Sequence, residues 1–345
     1  MSNWKGKYGP LLIAEIGGNH EGDFDYARRL TELAIESDVD YIKFQIYTGD
    51  TLVNPLQNPD RNKHFKKFEL SEKQHILLAE TCKSAGIGYM ASVWNPDFAD
   101  WIDEYSRIYK IGSGDFTAYP VIEKFAAYKK PLLLSSGLSD MTEVEATINF
   151  VQSLGSFYKN SENIALLQCT SMYPIPFVDA NLGVINTFKS KFDFPIGYSD
   201  HTEGSYALEI AVAMGAEILE FHFTDSREGK DFRDHKVSLT NLEIKDLQNK
   251  IKDINDLTGD GVKTCREVEA HHRPTFRRAT YLNRDMKAGE IITENDLVYL
   301  RPNQGLDARE VSQNAHSSNV ATRALRNCRY ASRRKLDYKS TFVKT

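Results

Sequence analysis

Short apolar runs alternate with longer amphipathic segments along the first 258 residues of this chain. The short runs are typical of buried strands, and the longer segments repeat apolar residues at helical spacing. The predicted strands lie near 11–16, 40–46, 87–92, 107–112, 131–136, 164–169, 194–199 and 217–223. The predicted helices lie near 24–38, 71–85, 95–104, 118–128, 141–154, 179–191, 203–214 and 241–257.

Eight strand-then-helix units predict an α/β fold, a (β/α)8 TIM barrel over residues 1–258. A doubly wound sheet is the competing fold, but no GxGxxG follows the first strand to favour it. After residue 258 the alternation stops. Residues 259–275 read as a polar linker, and 276–345 predict a small, compact, β-rich domain of short strands and turns.

Composition places the 345-residue chain among ordinary globular proteins, with 41% hydrophobic and 26% charged residues. No apolar run approaches the length of a membrane span, and the N-terminus carries no signal-peptide pattern, so we expect a cytoplasmic protein that does not contact membranes. The four cysteines are scattered without metal-ligand spacing, which predicts free thiols.

Charge is distributed unevenly between the two predicted domains. Residues 271–345 hold 15 Lys and Arg against 7 Asp and Glu, whereas the rest of the chain holds 28 against 41. A basic module could contact nucleic acid, an anionic substrate or the acidic body of its own oligomer. Because its basic residues are dispersed among core residues, we expect no nucleic-acid partner.

Polar residues recur on one face of several strands, close to their carboxyl ends. Side chains alternate faces with period two, so Ile13 shares a face with Glu15, Lys43 with Gln45, and Glu220 with His222. A barrel interior should be mostly branched and apolar, and unpaired buried charges are costly. A site at the carboxyl end of the barrel explains these residues better than structural burial does.

Two histidines, His201 and His222, follow or end successive strands about one β-α unit apart. On adjacent parallel strands both imidazoles can converge on one divalent cation, leaving open coordination positions for substrate oxygens. Asp234 offers a carboxylate for the same site, although from spacing alone it reads as part of a loop turn.

Lysines and serines at other strand ends predict an anion site. Lys43 and Lys110 lie on well-separated strands, and Ser113, Ser135 and Ser199 come from three more strand ends. Converging ammonium and hydroxyl groups bind phosphate without a glycine-rich loop. Glu15, at the end of the first strand, is a candidate acid, base or ligand for a substrate hydroxyl.

These motifs resemble the N-acetylneuraminate (sialic acid) synthase family, the phosphoenolpyruvate-dependent nonulosonic acid synthases. The resemblance spans nearly the whole chain in consistent order. It is carried by AEIGGNHEG (14–22), IKFQ (42–45), KIGSGD (110–115), LSSG (134–137), CTSMYPIP (169–176), GYSDHT (197–202), EFHFT (220–224), RRATY (277–281), DMKAGEIITENDL (285–297) and RPNQGL (301–306).

The resemblance implies a barrel followed by an antifreeze-like (SAF) domain, which in a homodimer covers the barrel of the partner subunit. It implies condensation of phosphoenolpyruvate with an open-chain N-acyl amino sugar, assisted by manganese, with Mg²⁺ and Co²⁺ as alternatives. The implied roles are metal ligation by His201 and His222; phosphoenolpyruvate contact by Lys43, Lys110, Ser113, Ser135 and Ser199; and sugar contact by Glu15, Gln45, Asp115, Tyr173, Asp234 and Arg301.

Departures from the family pattern lie where sugar recognition is decided. Phe221 replaces a lysine, Ser171 an asparagine, Ala91–Trp94 an STPF-like segment, and Phe232-Arg233 a Gly-Pro pair. N-acetylmannosamine and a diacetamido hexose leading to legionaminic or pseudaminic acid therefore stay open as acceptors. The alternative functions are a barrel aldolase or lyase, a 3-deoxy-ulosonate phosphate synthase, and a non-enzymatic sugar-binding protein.

Overall fold

The computed structural model describes residues 3–287, 290–304 and 306–309. Its contacts divide the chain into two units, Met1–Gly259 and a second that begins at Asp260. Among the described residues, none of the helices is long and apolar enough to cross a membrane.

The first unit is built on eight parallel strands that close into a barrel, because β2 pairs with β9 as well as with β3. A short strand, β1 (Lys5–Gly6), pairs antiparallel with the start of β2. The barrel strands are β2 (Gly9–Glu15), β3 (Tyr41–Ile46), β4 (Gly88–Val93), β5 (Tyr109–Ile111), β6 (Leu132–Ser135), β7 (Ile164–Cys169), β8 (Ile196–Asp200) and β9 (Ile218–His222). All eight predicted strands are therefore present, and the TIM-barrel prediction is confirmed.

Helices follow the strands as predicted, with differences at several ends. They are α1 (Phe24–Glu36), α2 (Gly49–Leu52), α3 (Pro59–Phe68), α4 (Glu72–Ser84), α5 (Ala99–Ile102), α6 (Tyr119–Ala126), α7 (Met141–Ser153), α8 (Phe177–Ala180), α9 (Gly183–Lys191), α10 (Tyr206–Ala213), α11 (Asp234–Val237) and α12 (Asn241–Thr258). The predicted helix 95–104 is three short helical pieces. The sequence pattern missed α2 and α3, because their stretch is polar and lacks an apolar stripe.

Local sequence signals explain where several helices begin. Asp140 caps α7 by accepting from the backbone N–H of Glu143, and the Glu143 side chain returns to the N–H of Asp140. Thr240 and Glu243 form the same reciprocal arrangement at the start of α12. Such capping boxes satisfy backbone donors that the first helical turn leaves unpaired.

Two layers of side chains fill the barrel interior. The lower layer is apolar and buried, and Trp4 closes it from below while its indole Nε1 donates to the carbonyl of Glu162 at 2.8 Å. The lower layer comprises Leu11, Ile13, Met90, Ile108, Leu133, Ala165, Leu167 and Ile218. The upper layer, nearer the carboxyl ends of the strands, comprises Glu15, Lys43, Ser92, Lys110, Ser135, Cys169, Ser199 and Glu220, all of them buried.

The described part of the second unit contains two short helices, α13 (Glu267–Ala270) within the stretch predicted as a linker and α14 (Arg273–Phe276), which ends one residue past it. A three-stranded antiparallel sheet follows, in which β10 (Ala279–Leu282) lies between β11 (Leu297–Leu300) and β12 (Leu306–Asp307). Residues 310–345, the remainder of the predicted small domain, lie outside the described residues, so its assignment as a SAF domain stays a prediction.

Candidate active site

Two lysines and two glutamates form a buried, charge-balanced group in the upper layer. The Lys43 ammonium pairs with Glu15 and lies 3.9 Å from Oε2 of Glu220. Lys110 Nζ lies 3.7 Å from Oε1 of the same glutamate. Because all four side chains are almost fully buried, each charge depends on its neighbours for compensation.

The electrostatics of the two lysines differ. Burial lowers the pKa of Lys110, and the charge of Glu220 offsets this only in part. For Lys43 burial acts the same way, but Glu15 and Glu220 together raise its pKa above the usual value. Burial alone would raise the pKa of Glu220, yet Lys110 and Lys43 bring it below its usual range. The neighbouring glutamates therefore favour the charged form of Lys43, whereas burial disfavours that of Lys110.

Serine hydroxyls hydrogen-bond to members of this buried group. Lys110 Nζ donates to Ser135 Oγ at 2.6 Å, and Ser199 Oγ donates to Glu220 Oε1 at 3.0 Å. Ser113 lies in the loop after β5, where its hydroxyl accepts from the N–H of Gly137. Asp115 is two residues further on, and burial raises its pKa while the charge of Lys110 lowers it.

The two histidines lie close together at the carboxyl ends of β8 and β9. Their ring centroids are 5.2 Å apart, and the Tyr173 ring lies 4.0 Å from His201. His201 Nδ1 lies 3.0 Å from the carbonyl of Thr170; since a carbonyl only accepts, Nδ1 carries the proton and Nε2 keeps its lone pair. Burial lowers the pKa of both histidines, so both are neutral at pH 7.

Asp234, at the start of α11, lies beside the second histidine. Its Oδ2 is 4.0 Å from His222 Nδ1, a buried nitrogen that has no hydrogen-bond partner among the described residues. Arg233 Nε contacts the other carboxylate oxygen at 3.1 Å, and the Arg233 guanidinium packs over the Tyr173 ring. The structure thus brings Asp234 to the histidines, which sequence spacing alone did not predict.

The donor set suits a divalent cation. Two neutral imidazoles, one of them with an unpartnered buried nitrogen, and an adjacent carboxylate are the groups that bind first-row divalent metals. Across residues 3–287, 290–304 and 306–309, no three His, Cys, Asp or Glu side chains are grouped closely enough to hold a metal. Two protein nitrogens are therefore the core of the candidate site, and water or substrate oxygens would complete it.

The remaining predicted residues fall in two places. Gln45 Nε2 donates to Glu15 Oε1 at 2.9 Å, so Gln45 belongs to the same group as Lys43. Arg301 belongs to the second unit. The sequence did not single out Glu220 or Ser92 as site residues. Strand parity had placed Glu220 on the inner face, but its position between two lysines depends on the distances between separate strands.

Comparisons with known proteins identify the family. The NeuB family model matches residues 30–263. The N,N'-diacetyllegionaminic acid synthase of Legionella pneumophila is 36% identical over 319 residues, covering 88% of both chains. The N-acetylneuraminate-9-phosphate synthase of Mus musculus is 32% identical over 301 residues, covering 84% of this chain and 82% of the mouse protein.

A solved structure is similar to this chain in both sequence and fold. The crystal structure of N-acetylneuraminic acid (sialic acid) synthetase from Leptospira borgpetersenii, in complex with citrate, superimposes with a TM-score of 0.70 at 31% identity. The match covers 76% of this chain and 89% of that one. With a family model that spans more than half of the chain and relatives aligned over most of its length, this protein belongs to the NeuB family of N-acetylneuraminate synthases.

Proposed function

We propose that this protein condenses phosphoenolpyruvate with an open-chain N-acyl amino sugar, forming a nine-carbon 3-deoxy-2-keto acid and releasing phosphate. The observation that carries the proposal is the pairing of a buried lysine–serine group with two neutral histidines at the same end of one barrel. The first can hold an anionic phosphate ester, and the second can hold a cation beside an aldehyde.

Lys43, Lys110, Ser113, Ser135 and Ser199 bind the phosphate and carboxylate groups of phosphoenolpyruvate in this proposal. In the structure the two ammonium groups are compensated by Glu15 and Glu220. When phosphoenolpyruvate binds, the lysines exchange part of that contact for substrate oxygens. Their positive charge then stabilises the phosphate as it becomes the leaving group.

The reaction proceeds by attack of carbon 3 of phosphoenolpyruvate on the aldehyde carbon, whose oxygen takes up a proton. Water adds to the cationic carbon 2 and loses a proton, and the tetrahedral species collapses with C–O cleavage to the ketone and phosphate. In this proposal Glu15, which contacts Lys43 and Gln45, accepts the proton of that water.

His201 and His222 would hold the divalent cation, for which we propose Mn²⁺, with Mg²⁺ and Co²⁺ as alternatives. When bound, the cation supplies Lewis-acid polarisation of the aldehyde. Asp234, Gln45, Asp115 and Tyr173 contact the sugar in this proposal. Among acceptors we favour a diacetamido hexose, because the Legionella pneumophila relative at 36% identity is an N,N'-diacetyllegionaminic acid synthase. N-acetylmannosamine is the second candidate.

We also propose a homodimer in which the small domain is a SAF domain and carries Arg301 to the barrel of the partner subunit. Exposed apolar side chains on the loops and first helical turns that follow β6, β7 and β8 support a partner at the carboxyl end of the barrel. They are Leu138, Met172, Phe177, Val178 and Tyr206, between 54% and 86% exposed. Sedimentation equilibrium should give twice the mass of one chain, and a monomer would contradict the dimer. The cytoplasmic location also stays a prediction.

The test of the reaction is phosphate release from phosphoenolpyruvate, assayed after chelation and metal add-back. We expect release only when both Mn²⁺ and an N-acyl amino sugar are present. His201→Ala should lose about a thousandfold in kcat/KM, whereas His271→Ala, which changes an exposed histidine of the second unit, should match wild type. Absence of release across a panel of acceptors would refute the synthase function, and full activity of His201→Ala would refute the metal assignment alone.

A further inference from the structure

Two aromatic side chains continue the inward-facing rows of β3 and β4 one step above the polar layer. Gln45 pairs in register with Ser92, and the N–H of Trp94 donates to the carbonyl of Ile46 at 2.9 Å, so the pairing extends one residue past the end of β4. By the period of two, Tyr47 shares the face of Gln45, and Trp94 shares the face of Ser92. Both aromatic side chains therefore point toward the barrel axis.

These side chains form a continuous aromatic surface. The rings of Tyr47 and Trp94 are stacked, with centroids 5.0 Å apart and planes at 27°. Phe65, from α3, meets the Tyr47 ring edge-on at 5.2 Å and the Trp94 ring edge-on at 6.0 Å. Tyr47, Phe65 and Trp94 are hereafter called the aromatic wall.

The aromatic wall carries hydrogen-bond donors that the described residues do not use. Tyr47 is 4% exposed, and no described side chain or backbone group bonds to its hydroxyl. Burial raises the pKa of this phenol, and the charges of Glu69 and Asp234 raise it further, so the hydroxyl keeps its proton. The hydroxyl is therefore available to donate to a ligand.

The indole of Trp94 extends across the rim toward β5. Its Nε1 lies 3.7 Å from the position that a Cβ would occupy at Gly112, two residues beyond Lys110. No described residue bonds to this nitrogen. One face of the ring packs on Tyr47, and Trp94 is only partly buried. The part of the ring that neither Tyr47 nor Phe65 covers is therefore open to a ligand.

The chemistry of the aromatic wall suits a sugar rather than an anion. Its three side chains are uncharged; the Arg61 guanidinium packs over the Phe65 ring at 5.6 Å, and the two lysines lie in the layer below. A flat apolar surface with phenol and indole donors at its edges accepts C–H groups and acyl methyls while bonding to hydroxyl or carbonyl oxygens. Both substrates must enter at the carboxyl end of the barrel. Phosphoenolpyruvate is already assigned to the lysine–serine layer, so the acceptor sugar is the substrate that can contact the aromatic wall.

We propose that the aromatic wall binds the acceptor and determines its specificity, with Trp94 packing against an acyl methyl group and Tyr47 donating to an acyl oxygen. It thereby favours an acceptor with a second acylamino group over one that carries a hydroxyl there. This inference rests on the proposed synthase function. It assigns acceptor choice to the β3–β4 side of the mouth, where β2 alone separates β3 from β9, the strand that carries His222.

The first test compares KM values for a diacetamido hexose, N-acetylmannosamine and phosphoenolpyruvate. Tyr47→Phe and Trp94→Ala should each raise KM for the diacetamido hexose about tenfold, the size expected for one lost hydrogen bond or aromatic contact. KM for phosphoenolpyruvate should stay within about twofold of wild type, because its contacts lie in the layer below. KM for N-acetylmannosamine should rise less, so the difference in KM between the two sugars should become smaller.

Matched controls change the same residue types elsewhere. Tyr119→Phe alters a tyrosine stacked on Phe150 on the outer helices, and Trp101→Phe alters a tryptophan on α5. Both should leave acceptor KM unchanged. An unchanged acceptor KM in Tyr47→Phe and Trp94→Ala, or an equal rise in KM for phosphoenolpyruvate, would overturn the proposal.

A binding measurement separates this proposal from the synthase function. Titration with the diacetamido hexose should change the tryptophan fluorescence of wild type, and Trp94→Phe, which retains Trp4 and Trp101, should lose that change. A wild-type protein that releases no phosphate yet shows the Trp94-dependent signal would refute the reaction and support the aromatic wall. A signal that persists in Trp94→Phe would refute the assignment of Trp94.

Discussion

The two layers of the barrel interior are built from the same strands and the same faces, yet their chemistry is opposite. Ile13 lies two residues below Glu15, Leu133 below Ser135, and Ile218 below Glu220, all nearly inaccessible to water. The lower layer stabilises the fold through apolar burial. In the upper layer, removing the charges from water opposes folding, and their mutual attraction offsets this cost only in part.

This difference indicates that the upper layer, rather than the lower one, carries the function of the barrel. A protein selected for stability alone would continue the apolar pattern to the top of each strand. Here Lys43, Lys110, Glu15 and Glu220 are buried together, and replacing a buried ion pair by apolar residues is often neutral or stabilising. Retaining four such charges is best explained by a ligand that needs them, which agrees with the proposed binding of phosphoenolpyruvate.

The largest expected effect comes from removing one ion pair of the upper layer. Lys110→Met/Glu220→Leu should lower phosphate release at least about a thousandfold, because a charge that stabilises the leaving phosphate is lost. The same variant should unfold at or above the wild-type temperature, since both charges leave together. Enzyme assay and thermal unfolding measure the two effects.

The single variants are its controls. Lys110→Met alone leaves Glu220 without its nearer lysine and should lose about 3–5 kcal/mol of unfolding free energy as well as activity. If the double variant is less stable than Lys110→Met, or keeps more than about one per cent of wild-type activity, the separation of stability from function in this layer fails.

A second experiment compares two positions on one strand. Leu133→Ala opens a cavity in the lower layer and should lower the free energy of unfolding by about 2–5 kcal/mol. Its KM for phosphoenolpyruvate should change by less than about threefold. Ser135→Ala, two residues further along β6, removes the hydroxyl that accepts from Lys110 at 2.6 Å.

For Ser135→Ala we expect the opposite of Leu133→Ala, a large loss of activity and a small loss of stability. Loss of a hydrogen bond to a charged group should lower kcat/KM about tenfold or more, while the unfolding free energy changes by about 1 kcal/mol. Chemical denaturation of both variants measures the unfolding free energy, and steady-state kinetics measure kcat/KM. Equal losses of stability and activity in Leu133→Ala and Ser135→Ala would show that the two layers are not functionally distinct.

The smallest expected effect concerns two histidines outside the barrel interior. Burial lowers the pKa of His20 to about 4 and that of His75 to about 3. In the unfolded chain a histidine titrates near 6.5. Between about pH 4 and 6.5 the unfolded state therefore binds more protons than the native state, and stability falls as pH falls through this window.

Each buried histidine contributes a slope approaching about 1.4 kcal/mol per pH unit below pH 6. His75→Gln keeps a partner for the Tyr89 hydroxyl, which lies 3.1 Å from His75 Nδ1, but removes the titrating group. Urea unfolding at several pH values should show a shallower slope for His75→Gln and an unchanged one for the exposed His271→Gln. An identical slope in His75→Gln and wild type would contradict the assignment.

The parts of this molecule that the sequence predicted correctly are those with a local periodic pattern. The strand pattern located all eight barrel strands within one or two residues at most ends, and parity alone placed Glu15, Lys43 and His222 on the inner face. Period two is a property of the extended backbone and needs no distant contact. The polar residues of α3 carry no comparable period, so that helix and Phe65 were not predicted.

Sequence by itself thus determined the barrel, the face on which each polar residue lies, and the family to which its motifs belong. Tertiary structure decided which of those residues meet. Glu220 lies between Lys43 and Lys110 because closure of the sheet sets the distances between strands far apart in the chain. Asp234 lies beside His222 because α11 packs against β9, and Tyr47 stacks on Trp94 because β3 and β4 pair in register. A local pattern predicts the face on which a side chain lies, whereas register and barrel closure determine which residues it contacts.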